Sequence, residues 1–589
     1  MKISFYPFAI VIAAISLISC NEKKQKTIKA PVYNDPDPPV WTFNSDEKEL
    51  GTTDFYTFDI KPDYTALNER LHTDPSKKMY VENSQFEDVI SITYKGDRAF
   101  VNYDDDATGF SVHTNGAHVT INTSKDVACR LTGRSSNGSL NIIGDHKVRV
   151  NLHGVNLKSA LGPAICINSK RRSFLVTDST SVLSDDSLYA EAGKEKYHKG
   201  CVCSKGFLAI SGKAPLKIIA NGADAIHSGK TIFIRRGSNI DIDSRAGSAI
   251  KAKNKVTVEG GLLNIQTTGP GGHGIAAKKE VVICGGRTTI ISKSVPSKEH
   301  KNTRGIKSDS IVAITGGIVR VKDSSVGGKG IRAGQRFYAK NCMIDVLTYG
   351  EDDKVSGSKN RGIKGADEIR IDSSRVRVRT ENGWNEGLSS RHKIIINNSL
   401  VELNTRDDAI SAGEPKTADI EINKGRVYAD AAMDAIDSNG TVHINGGLVY
   451  AIARSRLCRG VDCDIYEFKI SPDATLVSLG QITSYPTAKL LEHPACLIPV
   501  PPNDSVFCVS TTGKDDNLVH FKVPKFLFLT APAKALLSLP EFRQNVSYDF
   551  CHKASVNPEH TFHGLSLGGT TTNKSVNVTH SFNRNYVMF

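Results

Sequence analysis

Short aliphatic runs alternate with polar turns along most of this chain. Between Ala164 and Asp464 it returns twelve times to one phrase, usually a Gly or Ala, then a large aliphatic residue, then a small residue two places on. The aliphatic anchors are Ile165, Val202, Ile226, Ile250, Ile275, Ile306, Ile331, Ile363, Leu388, Ile410, Ile436 and Val461, and seven of the eleven intervals are 24 to 26 residues. The segments between them, such as LLNIQT and IVRVKD, are apolar at every second position. Side chains of a strand alternate between its two faces, so such segments are strands with one buried side. A fixed period with rungs too small to bury their own inner face is the mark of a solenoid. The pattern predicts an all-β chain built as a right-handed parallel β-helix of about 25 residues per rung. A β-sandwich also has regularly spaced strands, but it does not hold one register over about 300 residues.

The period assigns side chains to columns. The residue two beyond the anchor is small in Ala252, Ala277, Ser308, Ala333, Gly365, Ser390, Ala412 and Ser438, and shares the interior with the anchor. The residue before the anchor is Gly or Ala in every rung from Ala225 to Gly460, which reads as a bend needing little volume. A second row of turns follows at Gly260-Gly261, Gly285-Gly286, Gly316-Gly317 and Gly446-Gly447. The position after the anchor then points outward, with His227, Lys251, Ala276, Lys307, Arg332, Lys364, Ser389, Ser411, Asp437 and Asp462 in order. Two residues before the anchor the column is Asp224, Ser248, His273, Arg304, Lys329, Arg361, Glu386, Asp408, Asp434 and Arg459, and is also expected to face out. Both columns are basic in the middle rungs and mostly acidic in the late ones.

That zoning gives meaning to a formal net charge of +13. Rungs lie about 4.8 Å apart, close to the advance per residue of an extended uronic-acid chain, so a ladder of cations can meet successive carboxylates. The candidate ligand-binding residues are Lys251, Arg304, Lys307, Lys329, Arg332, Arg361, Lys364 and Arg391, with Trp384 as a platform for a sugar ring. Nucleic acid is the poorer partner, because its readers combine basic surface with rows of aromatic platforms. Three long insertions, SLYAEAGKEKYHKG, SVPSKEHKNTRG and YGEDDKVSGSKNRG, each enter just before an anchor and so overhang the same edge. Loops on one edge of a solenoid commonly build its binding face. In the late rungs Asp407, Asp408, Asp434, Asp437, Asp462 and Asp464 stack as carboxylates that repel unless a hard cation sits among them, and an all-oxygen set suits calcium.

The N-terminus has Lys2, an apolar run from Phe8 to Ile18 too short to span a bilayer, and the ending Leu17-Ile18-Ser19-Cys20. This resembles a bacterial lipobox, which makes Cys20 the lipidated first residue of the mature chain. Residues 1–20 are then a signal peptide, 21–49 a flexible tether rich in Lys, Pro and Asp, 50–99 an N-terminal β cap, 100–480 the β-helix, and 481–589 a C-terminal β domain capping the coil. The expected place is the bacterial envelope, at the outer membrane or cell surface, with a monomer held to the membrane by its lipid alone. No zinc-type CxxC pair occurs among the other cysteines. Cys458 with Cys463, and Cys496 with Cys508, are pairs near enough in sequence to close small disulfides, and Cys166 stacks on Cys201 or Cys203 of the next rung.

The runs AICINSKRRSFLV, KGFLAISGKAPLKI, DAIHSGKTIFI, DDAIS, DAIDSNGTVHINGG and RGVDCDIYEFKI, with FKVPKFLFLTAPAKALLSLPEF and FHGLSLGG near the end, resemble the bacterial carbohydrate-binding β-helix family from about Phe100 to Gly569. The resemblance implies a secreted protein with a polysaccharide-lyase-like fold, binding of cellulose-like or acidic sugar polymers, and bound calcium. It also implies an acidic pair before many anchors, which carries over to Asp407-Asp408 and, reduced, to Met433-Asp434. The middle rungs depart from it with Thr303-Arg304, Gly328-Lys329 and Asn360-Arg361, which strengthens the case for an anionic ligand. The function expected is non-catalytic polysaccharide binding. The alternatives are a lyase, with Lys364 or Arg391 as base beside a cation, and a structural or adhesive envelope protein.

Overall fold

The computed structural model describes residues 78–187, 199–293, 303–354, 356–463, 467–500, 505–526, 532–552, 555–557, 560–572, 575–583 and 586–588. It is a nearly all-β parallel solenoid of about 14 turns with ~25 residues per turn. Each rung has three strands, and in the rung of Ile250 they are Ile250–Ala252, Lys255–Val258 and Leu262–Thr267. The first strands of successive rungs stack into one sheet of 15 strands, and the second and third belong to a larger sheet around the other sides. Within the 15-stranded sheet each anchor pairs with the next: Ile226 with Ile250, Ile306 with Ile331, Ile363 with Leu388, Ile436 with Val461. All twelve anchors are 0 % exposed. Burying an aliphatic side chain of this size contributes about 1.5–3 kcal/mol, and repetition makes the anchor column the spine of the core.

The glycine before each anchor has a different cause from the one its sequence suggests. A Cβ on Gly305, Gly330 or Gly362 would point inward and lie 2.3, 2.3 or 2.1 Å from the Cγ1 of Val321, Val346 or Val378 on the third strand. Interior volume, rather than a bend, therefore limits this position to Gly or Ala. The second glycine row is conformational: Gly261, Gly286, Gly317 and Gly447 have φ of +96°, +74°, +74° and +85°, a region that side chains disfavour.

The ends are closed by different means. The strand Asp88–Lys95 already pairs in parallel with Val127–Ser135, so the stack begins inside the segment expected as a cap. Just before it, Tyr80 joins Phe174, Ala209 and Phe233 in an aromatic patch, its hydroxyl donating to Glu259 Oε1 at 2.6 Å. The Arg235 guanidinium lies 4.1 Å over the Tyr80 ring and donates to Glu82. At the other end Ala474–Gly480 takes Lys534–Ser538 as an antiparallel partner, which covers the last edge, and a six-stranded sheet packs beyond it around Phe507, Phe521, Phe550 and Phe582. Unpaired strand edges invite association, and this one is covered.

The register also revises the cysteine pairs. Cys496 stands opposite Leu537, whereas Cys508 stands opposite Cys551 with both side chains buried. Cys203 is in register with Cys166, their Sγ atoms 2.9 Å apart. Cys458 Sγ meets Met433 Sδ and Cys463 Sγ meets Gly440 O, so neither faces the other.

Because Gly362 and Val378 share one interior space, Gly362→Ala should lower stability by about 1–3 kcal/mol through overpacking. Combined with Val378→Ala the loss should be smaller than the sum of the two single losses, read from urea melts. Strict additivity would mean the two positions do not compete for that space.

Candidate functional site

Parallel pairing assembles the outward column as its spacing implies. Cys203, His227, Lys251, Ala276, Lys307, Arg332, Lys364, Ser389, Ser411, Asp437 and Asp462 pair one with the next across ten strand contacts. Lys251, Lys307 and Arg332 keep 49 %, 31 % and 32 % of their side chains exposed. Carboxylates are sparse beside them: Asp309 serves both Lys307 at 3.3 Å and Arg332 at 4.0 Å, and Asp224 is 3.7 Å from Lys251.

The second basic column is not an exposed ladder. Arg304 and Lys329 are buried, and Arg361 is half-buried. Because the glycine and the anchor that follow both turn inward, the residue before them is carried under the overhanging loop. The Arg304 guanidinium donates to the carbonyl oxygens of Thr303 and Gly327. Lys329 Nζ donates to Ser358 Oγ at 2.9 Å and to Lys359 O at 3.0 Å, both on the third insertion. Arg361 forms a two-pronged pair with Glu386, at 2.6 and 2.9 Å. Within this column Lys329 therefore holds the third loop down, Arg361 is neutralised by Glu386, and Arg304 contributes charge from below. Most of the first two insertions lies outside the described residues.

Crowding of like charge shows in the proton affinities. Burial, then Arg361 and Arg332, pull the Lys364 ammonium down to about 8. Burial, then Arg304 and Arg361, pull Lys329 down to about 6. His273, a member of the second column but not among the candidate ligand-binding residues, lies in register with Arg304 and is held neutral by burial and by Lys307 and Arg304. Its Nδ1 is buried and, among the described residues, has no hydrogen-bond partner. Beneath the column Asp323 is buried and its carboxyl is raised to about 6 by burial, despite hydrogen bonds from Ser325 and the nearby Arg304. Neither residue is conspicuous in sequence, since His273 sits in an ordinary rung and Asp323 on the third strand.

Trp384 is 57 % exposed. Its backbone N–H donates to Asp352, which also accepts from the backbone of Asn360, so turn and loop are tied together at the rim of the basic column. Arg391 stands apart on the next corner of the coil, where it pairs with Asp367 at 2.5 Å.

The acidic residues form a zone but not a shared ligand shell. Asp407 is drawn to Lys359 at 3.7 Å, Asp437 accepts from Ser411 Oγ at 3.3 Å, and Asp462 pairs with Arg459. Asp464 lies outside the described residues. Asp408 and Asp434 remain crowded: burial, then Asp407 and Asp437, raise Asp408 to about 8, and burial raises Asp434 to about 6. Backbone N–H groups of Asp434 and Arg459 donate to Asp408 and Asp434 respectively. Among the described residues the grouping with ligand atoms within 4.8 Å of one another is instead Asp419, Glu421 and His443, on another face of the coil. There the Lys393 ammonium already lies 3.0 Å from Asp419 and 2.6 Å from Glu421. The oxygen donors of the late rungs fit calcium in kind; the geometry does not gather them around a point.

Residues 115–273 and 352–459 match the model of the family described as carbohydrate-binding domain-containing protein. The coil carries a carbohydrate-binding match. It takes in Lys251, Arg361, Lys364 and Asp407 through Asp437, whereas Arg304, Lys307, Lys329 and Arg332 fall between its two stretches. No curated protein matches the chain. Among solved structures, the polysaccharide lyase-like protein from C. thermocellum, a gadolinium derivative, is similar at 23 % identity over 44 % of this chain and 99 % of its own, with a TM-score of 0.37.

Proposed function

We propose that the protein is a non-catalytic, lipid-anchored binder of an acidic, uronate-containing polysaccharide, which lies across the outward basic column. The observation that carries this reading is the outward row itself, in which Lys307, Arg332 and Lys364 stand rung on rung, with Lys364 held down to about 8 by burial and by Arg361 and Arg332 against the opposite pull of Glu386. A site that destabilises its own cations stores free energy that an incoming anion releases. The contact residues are Lys251, Lys307, Arg332 and Lys364, with Trp384 offering an exposed ring to a sugar face. Arg304 acts from beneath by its charge, and Lys329 by holding the loop. One observation favours a lyase instead, since an amine with a pKa near 8 is suited to a general base. Release of unsaturated uronate ends would move the protein into that class.

Each exposed ion pair contributes about 0.2–1 kcal/mol, so affinity should grow with polymer length and weaken steeply with salt. Reversing charge with Arg332→Glu and Lys364→Glu together should reduce retention on immobilised polygalacturonate at least about tenfold, equivalent to ~1.4 kcal/mol. An anion raises the Lys364 pKa, so binding should take up protons near pH 8 and weaken as pH rises beyond it, by calorimetry in buffers of different ionisation enthalpy. Salt-independent binding to neutral cellulose alone would overturn the charge mechanism.

For the late rungs we propose calcium as the counter-ion of Asp408, Asp434 and Asp437. The raised carboxyls of Asp408 and Asp434 support this, because burial and neighbouring aspartates disfavour their negative charge. Between pH about 4 and 8 the folded Asp408 binds a proton that the unfolded one has lost, so without calcium stability should fall as pH rises through that window. Added calcium should flatten this dependence and raise the melting temperature at pH 8, and Asp408→Asn should remove most of both effects. Identical melts with calcium and with chelator would dismiss the ion.

The lipid anchor is proposed on Cys20, which lies outside the described residues. Cys20→Ala should move the protein from the membrane to the soluble fraction on ultracentrifugation, and unchanged partition would refute the anchor.

A further inference from the structure

A second row of cations runs along the corner between the first and second strands of the early rungs, apart from the columns already described. The turns there follow the strands ending at Ile143, Asn168, Ser204, Ser228, Ala252 and Ala277, and supply Lys147, Lys170, Lys205, Lys230, Lys253 and Lys278, one per rung. Lys205, Gly229, Lys253 and Lys278 share one register position, through backbone hydrogen bonds from Gly229 N to Ser204 O and Lys253 N to Ser228 O, and Lys230 lies one position further on, beside Asn254. At one strand spacing per rung the row spans roughly 24 Å. It stops at the next turn, which carries Asp309 instead.

Carboxylate partners stand at the start of this row. Asp126 takes Lys147 at 3.0 Å, and Asp145 takes Lys170 at 3.5 Å. The Lys230 ammonium reaches only the Lys170 carbonyl oxygen, at 3.5 Å. Lys230, Lys253 and Lys278 are exposed, and among the described residues none of them has a carboxylate partner. At the N-terminal end the corner opens into a cleft of about 470 Å³ in which Lys147, Lys170, Arg171, Arg172 and Lys230 face just two carboxylates, Asp126 and Asp145. Phe207 lines the same cleft, its ring stacked from behind on Phe233 with centroids 6.5 Å apart. An aromatic face beside guanidinium groups suits one chemistry: a sugar ring whose C–H face lies on the aromatic and whose acidic substituent is taken by arginine.

We propose that this corner is a second binding site, for an anionic saccharide, with one acidic sugar held in the cleft against Phe207 and the following residues of the chain laid along the lysine row. The site stands on residues distinct from the central column. The two tracks approach each other at Lys251 and Lys253, so one polymer long enough can occupy both.

The test uses the full chain with two charge-reversal pairs, Arg171→Glu/Lys230→Glu at the corner and Arg332→Glu/Lys364→Glu in the centre. A Phe207→Trp substitution provides a fluorescent reporter in the cleft. The probe is a galacturonate trimer, with a sulfated disaccharide in parallel. The reporter should respond to at least one of the two, keep that response in the central pair, and lose it in the corner pair, with trimer affinity there falling at least about tenfold. Retention of the two pairs on immobilised polygalacturonate, measured with Phe207 intact, gives a readout independent of the reporter. Retention by the corner pair equal to that of the original protein overturns the proposal. A reporter response to anionic phospholipid vesicles but to neither saccharide also overturns it, since the row is then a surface for membranes. Retention lost in the corner pair but unchanged in the central pair keeps this site and refutes the central one.

Discussion

Parallel pairing of each rung with the next, residue for residue along the anchor column, is the constraint on which the rest of this molecule depends. Once Ile226, Ile250, Ile275, Ile306 and their successors are stacked, every other side chain stands one strand spacing from its counterpart above and below. Insertions can leave the coil only between strands, which puts the third one over the basic column and ties it to Trp384 through Asp352. Glycine is required where the anchor strand crowds a valine of the third strand, because the same crowding recurs on rung after rung.

Stacking also forces like charges together. Two unit charges one rung apart repel by about 3.5 kcal/mol at an effective dielectric of 20, so a column of four cations cannot persist without relief. On the third strands opposite charges give that relief, with Arg377 paired to Asp345 and Arg375 to Glu402, all deeply buried. On the outward face it is partial: Ala276 interrupts the row, one Asp309 serves two cations, and Asp323 lies below. The remainder appears as lowered lysine proton affinities in the middle rungs and raised aspartate ones in the late rungs. In both zones burial and like-charged neighbours disfavour the charge, cationic in the first and anionic in the second.

The match to a carbohydrate-binding family covers the rungs on either side of the most basic stretch. Arg304, Lys307, Lys329 and Arg332 sit in the intervening rungs of this chain, where the outward residues are basic while the anchors Ile306 and Ile331 stay aliphatic. Specificity in a solenoid varies this way because an outward position is free to change without touching the core.

Rung register, anchor burial and the order of the outward column were legible in the sequence, since each follows from a period of about 25 and an alternation of two. The same logic failed two residues before the anchor. Alternation alone cannot reveal that Gly330 and Ile331 both turn inward, nor that Lys329 is thereby carried under Ser358 and Lys359. The partners of the late aspartates were equally hidden, because Lys359 reaches Asp407 across 48 residues of chain, and so was the pairing of Cys508 with Cys551 rather than Cys496. Periodicity sets which residues share a column, because it is a property of the chain. What lies over a column, and which charges it meets there, is settled only when loops and distant strands close in space.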